Sequence, residues 1–180
     1  MKHLIKLFTL LVVMLLSVGF VSCSSDDDEP AEQPIAVTPA NLDGVWKMTA
    51  WNNGQPMPEG TYCYVVFHRR DNTMEMYDNM NSMYAVHTTG SFFVKQDPYL
   101  GYIVGGTYDN GVGDWNQQYI VSNLYKSGSM IWTAKDDAND VCRYERCGEV
   151  PAEIIKEASD LNWQQIGYMM IIYIAGMQSL

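Results

Sequence analysis

Five side chains downstream of the N-terminal apolar segment carry the nucleophilic or basic chemistry that catalysis uses: Cys63, Cys142, Cys147, His68 and His87. A thiol beside an imidazole is the simplest nucleophile–base pair. The two histidines fall on different expected strands, however, where histidine more often faces solvent or holds a structural hydrogen bond. The cysteines show neither a CxxC pair nor the spacing of a zinc site. No Gly-x-Ser-x-Gly, His-Glu-x-x-His or phosphate-binding glycine loop is present. The run Asp136-Asp137-Ala138-Asn139-Asp140 places oxygen donors as calcium prefers, yet it lacks the glycine and the closing acid of an EF-hand loop. A polar hairpin tip explains it better. Tyr99, Tyr102, Tyr108 and Trp115 are close enough in sequence to form a sugar-binding platform, but tyrosine is also a comfortable half-buried strand residue. The expectation is a protein that is not an enzyme, with no metal and no cofactor.

The elements that position these residues begin after a targeting segment. Lys2, His3 and Lys6 precede an apolar run from Leu7 to Val21. Its length falls short of the roughly 20 residues a spanning helix needs, so residues 1–22 read as a signal peptide. Removing Lys2 and Lys6, with no acid lost, shifts the formal charge from -10 to -12. That charge excludes nucleic acid as a partner, because phosphate neutralisation by Lys and Arg supplies most of that affinity. Export also places Cys63, Cys142 and Cys147 where disulfides persist. Three cysteines leave one over, and the expected bridge joins Cys63 to Cys142 or Cys147.

Residues 23–41 read as a tether, with acid from Asp26 to Glu29 followed by Pro30, Pro34 and Pro39. From Leu42 to Val150 the apolar pattern has period 2. Trp46, Met48 and Ala50 share one face, as do Cys63, Val65 and Phe67, and then Met74 and Met76. Strands are expected over 44–51, 61–69, 73–78, 83–89, 92–96, 102–108, 117–125, 129–135 and 141–146. Gly90 marks a bend or bulge between two that form one long strand. Eight or nine short strands with turns at about 10-residue spacing predict an all-β, up-and-down antiparallel barrel of about eight strands. Pro151 opens a helical segment, and residues 151–180 form a C-terminal helical tail whose apolar end, 166–177, is too short to span a bilayer.

Two groups of residues resemble known families. Phe20-Val21-Ser22-Cys23 resembles the lipobox of bacterial lipoprotein precursors. That implies cleavage before Cys23, acylation of Cys23 and a firm membrane anchor. The acid block after it resembles the export signal of surface lipoproteins of Bacteroidota. It implies an outer-membrane protein displayed on the cell surface, with the periplasmic leaflet as the alternative.

Gly44-Val45-Trp46 resembles the Gly-x-Trp signature of lipocalins and other calycins. The likeness extends over residues 42–150 through Trp51-Asn52-Asn53-Gly54, Ile131-Trp132-Thr133-Ala134-Lys135-Asp136 and Tyr144-Glu145-Arg146-Cys147. It implies that Trp46 closes one end of the barrel beneath an arginine of the last strand. Arg143 and Arg146 are available, and parity with an inward Tyr144 favours Arg146. It also implies a binding module for a small apolar or amphipathic ligand, lined by Phe67, Met74, Met76, Phe92, Trp132 and Tyr144. Eight strands leave room either for one small ligand or for side chains alone. The same residues therefore also suit a packed core, in an interaction module that docks to another surface protein or captures glycans.

Overall fold

In the computed structural model the described residues are 31–160, apart from 110, 112 and 116. Residues 1–22, expected to be a signal peptide, Cys23 and the tail 161–180 lie outside them. The chain divides at Glu32/Gln33 into two compact units, and the barrel belongs to the second. Among the described residues no helix is long and apolar enough to cross a membrane.

The fold is a closed antiparallel β-barrel of eight strands with a short C-terminal helix. The wall runs β1 (Gly44–Trp51), β3 (Cys63–His68), β4 (Thr73–Asp78), β5 (Val86–Asp97), β6 (Gly101–Tyr108), β8 (Tyr119–Ser122), β9 (Ser129–Ala134) and β10 (Asp137–Cys147). Pairing of β1 with β10 closes it, with Trp46 opposite Arg146 and Met48 opposite Tyr144. Two short ribbons, β2 (Gln55–Pro56) and β7 (Gly113–Asp114), pair with the upper ends of β1 and β6.

Alternation decides which way each strand faces. On β1, Trp46, Met48 and Ala50 are buried, and on β3 Cys63, Val65 and Phe67 are. The one long strand expected through Gly90 is present, β5 running from Val86 to Asp97 with no shift of register at the glycine. A Cβ at Gly90 would lie 2.1 Å from the Thr107 carbonyl oxygen, so β5 and β6 approach there only because the side chain is missing. Met83 to Ala85 were expected in this strand but belong to the preceding loop. The strand expected over 117–125 is shorter, at Tyr119–Ser122.

The lower end is closed by the segment before β1. Thr38 caps the four-residue helix α1 (Pro39–Leu42), its hydroxyl accepting from the Asn41 N–H at 3.1 Å. Leu42 and Val37 enter the barrel core, and Ile35 N–H donates to the Leu124 carbonyl at 2.8 Å. Trp46 is fully buried and its Nε1 donates to the Leu42 carbonyl at 2.7 Å. The Arg146 guanidinium lies 4.3 Å from the Trp46 ring centre. It also donates to the carbonyls of Asp43 and Asn41, the latter at 2.7 Å. Two glycines make room for it. Gly44 has φ +112°, and a Cβ there would sit 2.9 Å from the guanidinium. Gly128, at φ +95°, would place a Cβ 2.7 Å from that of Arg146.

Outside the wall, helix α2 (152–160) sets Ile154 and Ala158, with Val150, against Tyr64, Tyr77 and Ala85. Cys147 faces this outer cluster.

Replacing Arg146 by Met removes the cation–π contact and leaves two carbonyls without their charged donor. The expected cost is about 1–2 kcal/mol of stability. Arg143, whose side chain faces outward, should cost under about 0.5 kcal/mol when changed to Met. Urea unfolding of the two variants checks this, and equal losses would dismiss the closing role of Arg146.

Candidate functional site

The six residues expected to line a ligand cavity converge in the lumen, where they pack on one another. Phe67, Met74, Phe92, Trp132 and Tyr144 are all buried and Met76 partly so. The Trp132 ring centre lies 4.9 Å from that of Tyr144, 5.2 Å from Tyr119, 6.0 Å from Phe67 and 6.3 Å from Trp115. Phe67 meets Phe92 edge-on at 4.8 Å. Since β3 and β9 stand three strands apart around an eight-strand wall, the Phe67–Trp132 contact spans the lumen. Trp132 Nε1 donates to the Met130 sulfur at 3.2 Å, a weak acceptor.

The thiols do not pair. Cys63, Cys142 and Cys147 are all free, which corrects the expected disulfide. The reason is strand order. β1 separates β3 from β10, so Cys63 and Cys142 sit on strands two spacings apart, about 9–10 Å. A disulfide tolerates a Cα separation of about 7 Å at most. Cys147 is excluded further, because it faces out while Cys63 faces in. Burial, then the Asp78 and Cys142 charges, push the Cys63 thiol far above its ordinary value. Burial and Asp140 raise Cys142 to about 11. Both stay protonated at neutral pH, the reverse of an activated thiolate.

The histidines, which looked unrelated in sequence, meet on the outer wall. His68 Nε2 and His87 Nε2 each lie 2.9 Å from a different oxygen of Glu75, and the Tyr77 hydroxyl donates to that carboxylate at 2.9 Å. His87 also stacks on Tyr77 at 4.3 Å. Burial pushes the Glu75 carboxyl up, but the hydrogen bonds from His68, Tyr77 and His87 outweigh it and hold the group below its ordinary range. The spacing of 7 between His68 and Glu75 and 12 between Glu75 and His87 reports nothing. Only the pairing of three strands brings them together. Among the described residues no group of three or more His, Cys, Asp or Glu is arranged to hold a metal ion.

The acidic run is not a free loop. Asp137 opens β10, its carboxylate taking the Asn139 N–H at 2.9 Å, and the Asp140 carboxylate takes the Gln117 amide. The aromatic platform is likewise dispersed. Tyr99 is 95% exposed at the lower β5–β6 turn, whereas Tyr102, Tyr108 and Trp115 pack against or within the barrel core.

One opening in the wall was not foreseen. β5 lines one edge of β6 throughout, whereas β8 pairs with the other edge only at Tyr102 to Val104, and β7 takes it up again at Thr107 and Tyr108. Trp115 folds into the gap, its N–H donating to the Gly106 carbonyl at 2.8 Å. Gly106 has no side chain to oppose it, since a Cβ there would lie 2.8 Å from Trp115 Cε2 and 1.9 Å from the Ser91 carbonyl oxygen. Outside this plug lies a pocket of about 280 Å³ lined by Phe93, Thr107, Asp114, Trp115, Gln118 and Lys135, among others. Trp115 Nε1 and Gln118 Oε1 are sealed from solvent without a hydrogen-bond partner among the described residues. Each orphan costs about 1–3 kcal/mol. The nearby Gly105-Gly106 pair was the only sequence signal.

Comparison with protein-family models, with curated proteins and with solved structures finds no match for this chain.

Under native conditions a maleimide should modify the half-exposed Cys147 and leave Cys63 and Cys142 untouched until the chain unfolds. Mass spectrometry of the labelled peptides reads this directly, and a Cys63–Cys142 or Cys63–Cys147 cross-link would reverse it. The lowered Glu75 carboxyl gives stability that is present above its unfolded value, ~4.3, and lost as pH falls through the folded one. The melting-temperature gap between wild type and Glu75→Gln should therefore be widest near neutrality and shrink on acidification. A gap independent of pH would remove the carboxylate from the account.

Proposed function

We propose that this chain is an exported lipoprotein, acylated at Cys23 and held at the outer membrane, whose tether presents a lipocalin-like barrel on the cell surface. The barrel serves as a non-enzymatic binding module that works from its outer wall, because its lumen is occupied by its own side chains. The contact of Phe67 with Trp132 across the lumen carries this reading. A small apolar ligand at that level has to displace an aromatic ring that already has partners on several sides.

The acidic mature chain and the Pro-bearing tether fit a domain held away from a membrane. Acid blocks repel themselves and extend, so the residues between Cys23 and Ile35, where the chain joins the barrel, act as a spacer.

Two measurements test the reading. An alkyne-palmitate label should enter the wild-type chain in its host and be absent from Cys23→Ser; equal labelling of both would dismiss the anchor. Native mass spectrometry should show no uptake from a mixture of fatty acids, lysolipids and hydrophobic metabolites. Trp132→Ala, which empties the centre of the lumen, should gain binding of benzene or indole, as dry engineered cavities do. Stoichiometric lipid uptake by the wild type would restore the lumen as the binding site.

A further inference from the structure

We propose that the C-terminal segment, residues 161–180, folds back over the upper mouth of the barrel and caps the lumen. The cap depends neither on the anchor at Cys23 nor on binding at the wall.

The two ends of the barrel are finished differently. Val37, Leu42 and Trp46 close the lower end from the segment that leads into β1. The upper end carries the loops after β1, β4, β6 and β9. Apolar side chains of the loop after β4, and of the start of β5, stay uncovered among the described residues. Met83 is 86% exposed, Tyr84 52% and Val86 42%. Val86 has the parity of the inward Phe92 on β5, so it stands on the lumen side of the rim. Met57 and Met80, also from upper loops, pack against the lumen core. From Asn79 to Val86 the chain carries no charged side chain, although the other upper loops hold Glu59, Asp109, Asp114 and Asp136.

Helix α2 delivers the segment to this end. It starts below, because β10 finishes with Cys147 opposite Val45 at the foot of β1. Burial, then the Glu157 charge, push the Tyr62 phenol up, which places Glu157 beside the top of β3. Ala158 likewise shares a cluster with Ala85, the residue before β5. The helix therefore climbs the outer wall, and the chain beyond Asp160 sets out from the upper rim.

Composition selects the occupant. Twenty residues follow Asp160, and none is Asp, Glu, Lys, Arg or His. Their apolar run, 166–177, is too short to cross a bilayer. A helix that lies on a lipid surface carries Lys and Arg along its polar face, and this segment has neither. Wound as a helix it would span about 30 Å, more than an eight-strand lumen that side chains alone can fill. Seating it on Met83, Tyr84 and Val86 takes two apolar surfaces out of water together. Covalent attachment through α2 also gives it a higher local concentration than a free partner has.

Photo-cross-linking of the full chain, with Met83 replaced by p-benzoylphenylalanine, tests the contact in a mixture of isotopically light and heavy protein. Trypsin last cuts after Lys156, so the segment is recovered in one C-terminal peptide. The expected bond joins position 83 to a residue of 161–180, within light chains and within heavy chains only. Light-to-heavy products would make a second copy the occupant and overturn the cap. Attachment to lipid alone, or to no residue of the segment, overturns it as well. Protease access gives a second reading. Met83→Asp together with Val86→Asp sets two carboxylates against the apolar segment. Chymotryptic cleavage at Trp163, Tyr168 and Tyr173 should then rise about tenfold, while sites within the barrel such as Phe67 and Trp132 stay protected. Equal cleavage of the segment in variant and wild type overturns the cap. Should the paired variant fail to fold, the cross-link alone decides.

Discussion

Closure of the barrel depends on one contact, the Arg146 guanidinium lying over Trp46. It joins three parts of the chain that are distant in sequence. Trp46 belongs to the first strand, Arg146 to the last, and the carbonyls of Asn41 and Asp43 to the helix and turn beneath them. A closed sheet has no free edge only if its first and last strands meet in register. The guanidinium sets that register by demanding a ring below it and two carbonyls beside it. Gly44 and Gly128 follow from the same demand, because any side chain at either position would collide with the arginine.

Once the wall closes, something must fill it. An eight-strand lumen is narrow enough for side chains alone to do so, and here aromatic rings meet across it around Trp132. That packing contributes to stability through burial and ring contacts, and it moves binding to the wall. The thiols and phenols trapped inside are consequences of the same filling. Burial pushes Tyr119 up to about 12 and Cys142 to about 11, so these groups remain neutral parts of the core.

Much of this was legible in the sequence because alternation has only two outcomes. Trp46, Met48, Val65, Phe67, Met74, Trp132 and Tyr144 face inward as period 2 requires, and the parity of Tyr144 selected Arg146 over Arg143. The long strand through Gly90 was half legible, since a glycine inside a strand pattern signals a bend and a close approach alike. What stayed hidden depends on strand order and not on strand identity. The disulfide failed because β1 lies between the two strands that carry Cys63 and Cys142. The Glu75 cluster was invisible because register alone brings His68 and His87 to one carboxylate. Tyr99 and Tyr108 are nine residues apart in sequence but sit at opposite ends of β6.

The wall gap follows the same logic one step further. A barrel wall tolerates a break in its ladder only if something covers the backbone groups exposed by it. Between β6 and β8 the cover is Trp115, a residue large enough to plug the gap and to reach the Trp132 ring behind it. The fit demands glycine at 106, which removes the side chain that would hold the plug out. It also leaves the indole N–H without an acceptor among the described residues. Phenylalanine at 115 would have filled much of the same space with no orphaned donor. The plug is held by its fit against Gly106 and by the Trp132 ring behind it, and the unused donor is a cost which that packing offsets.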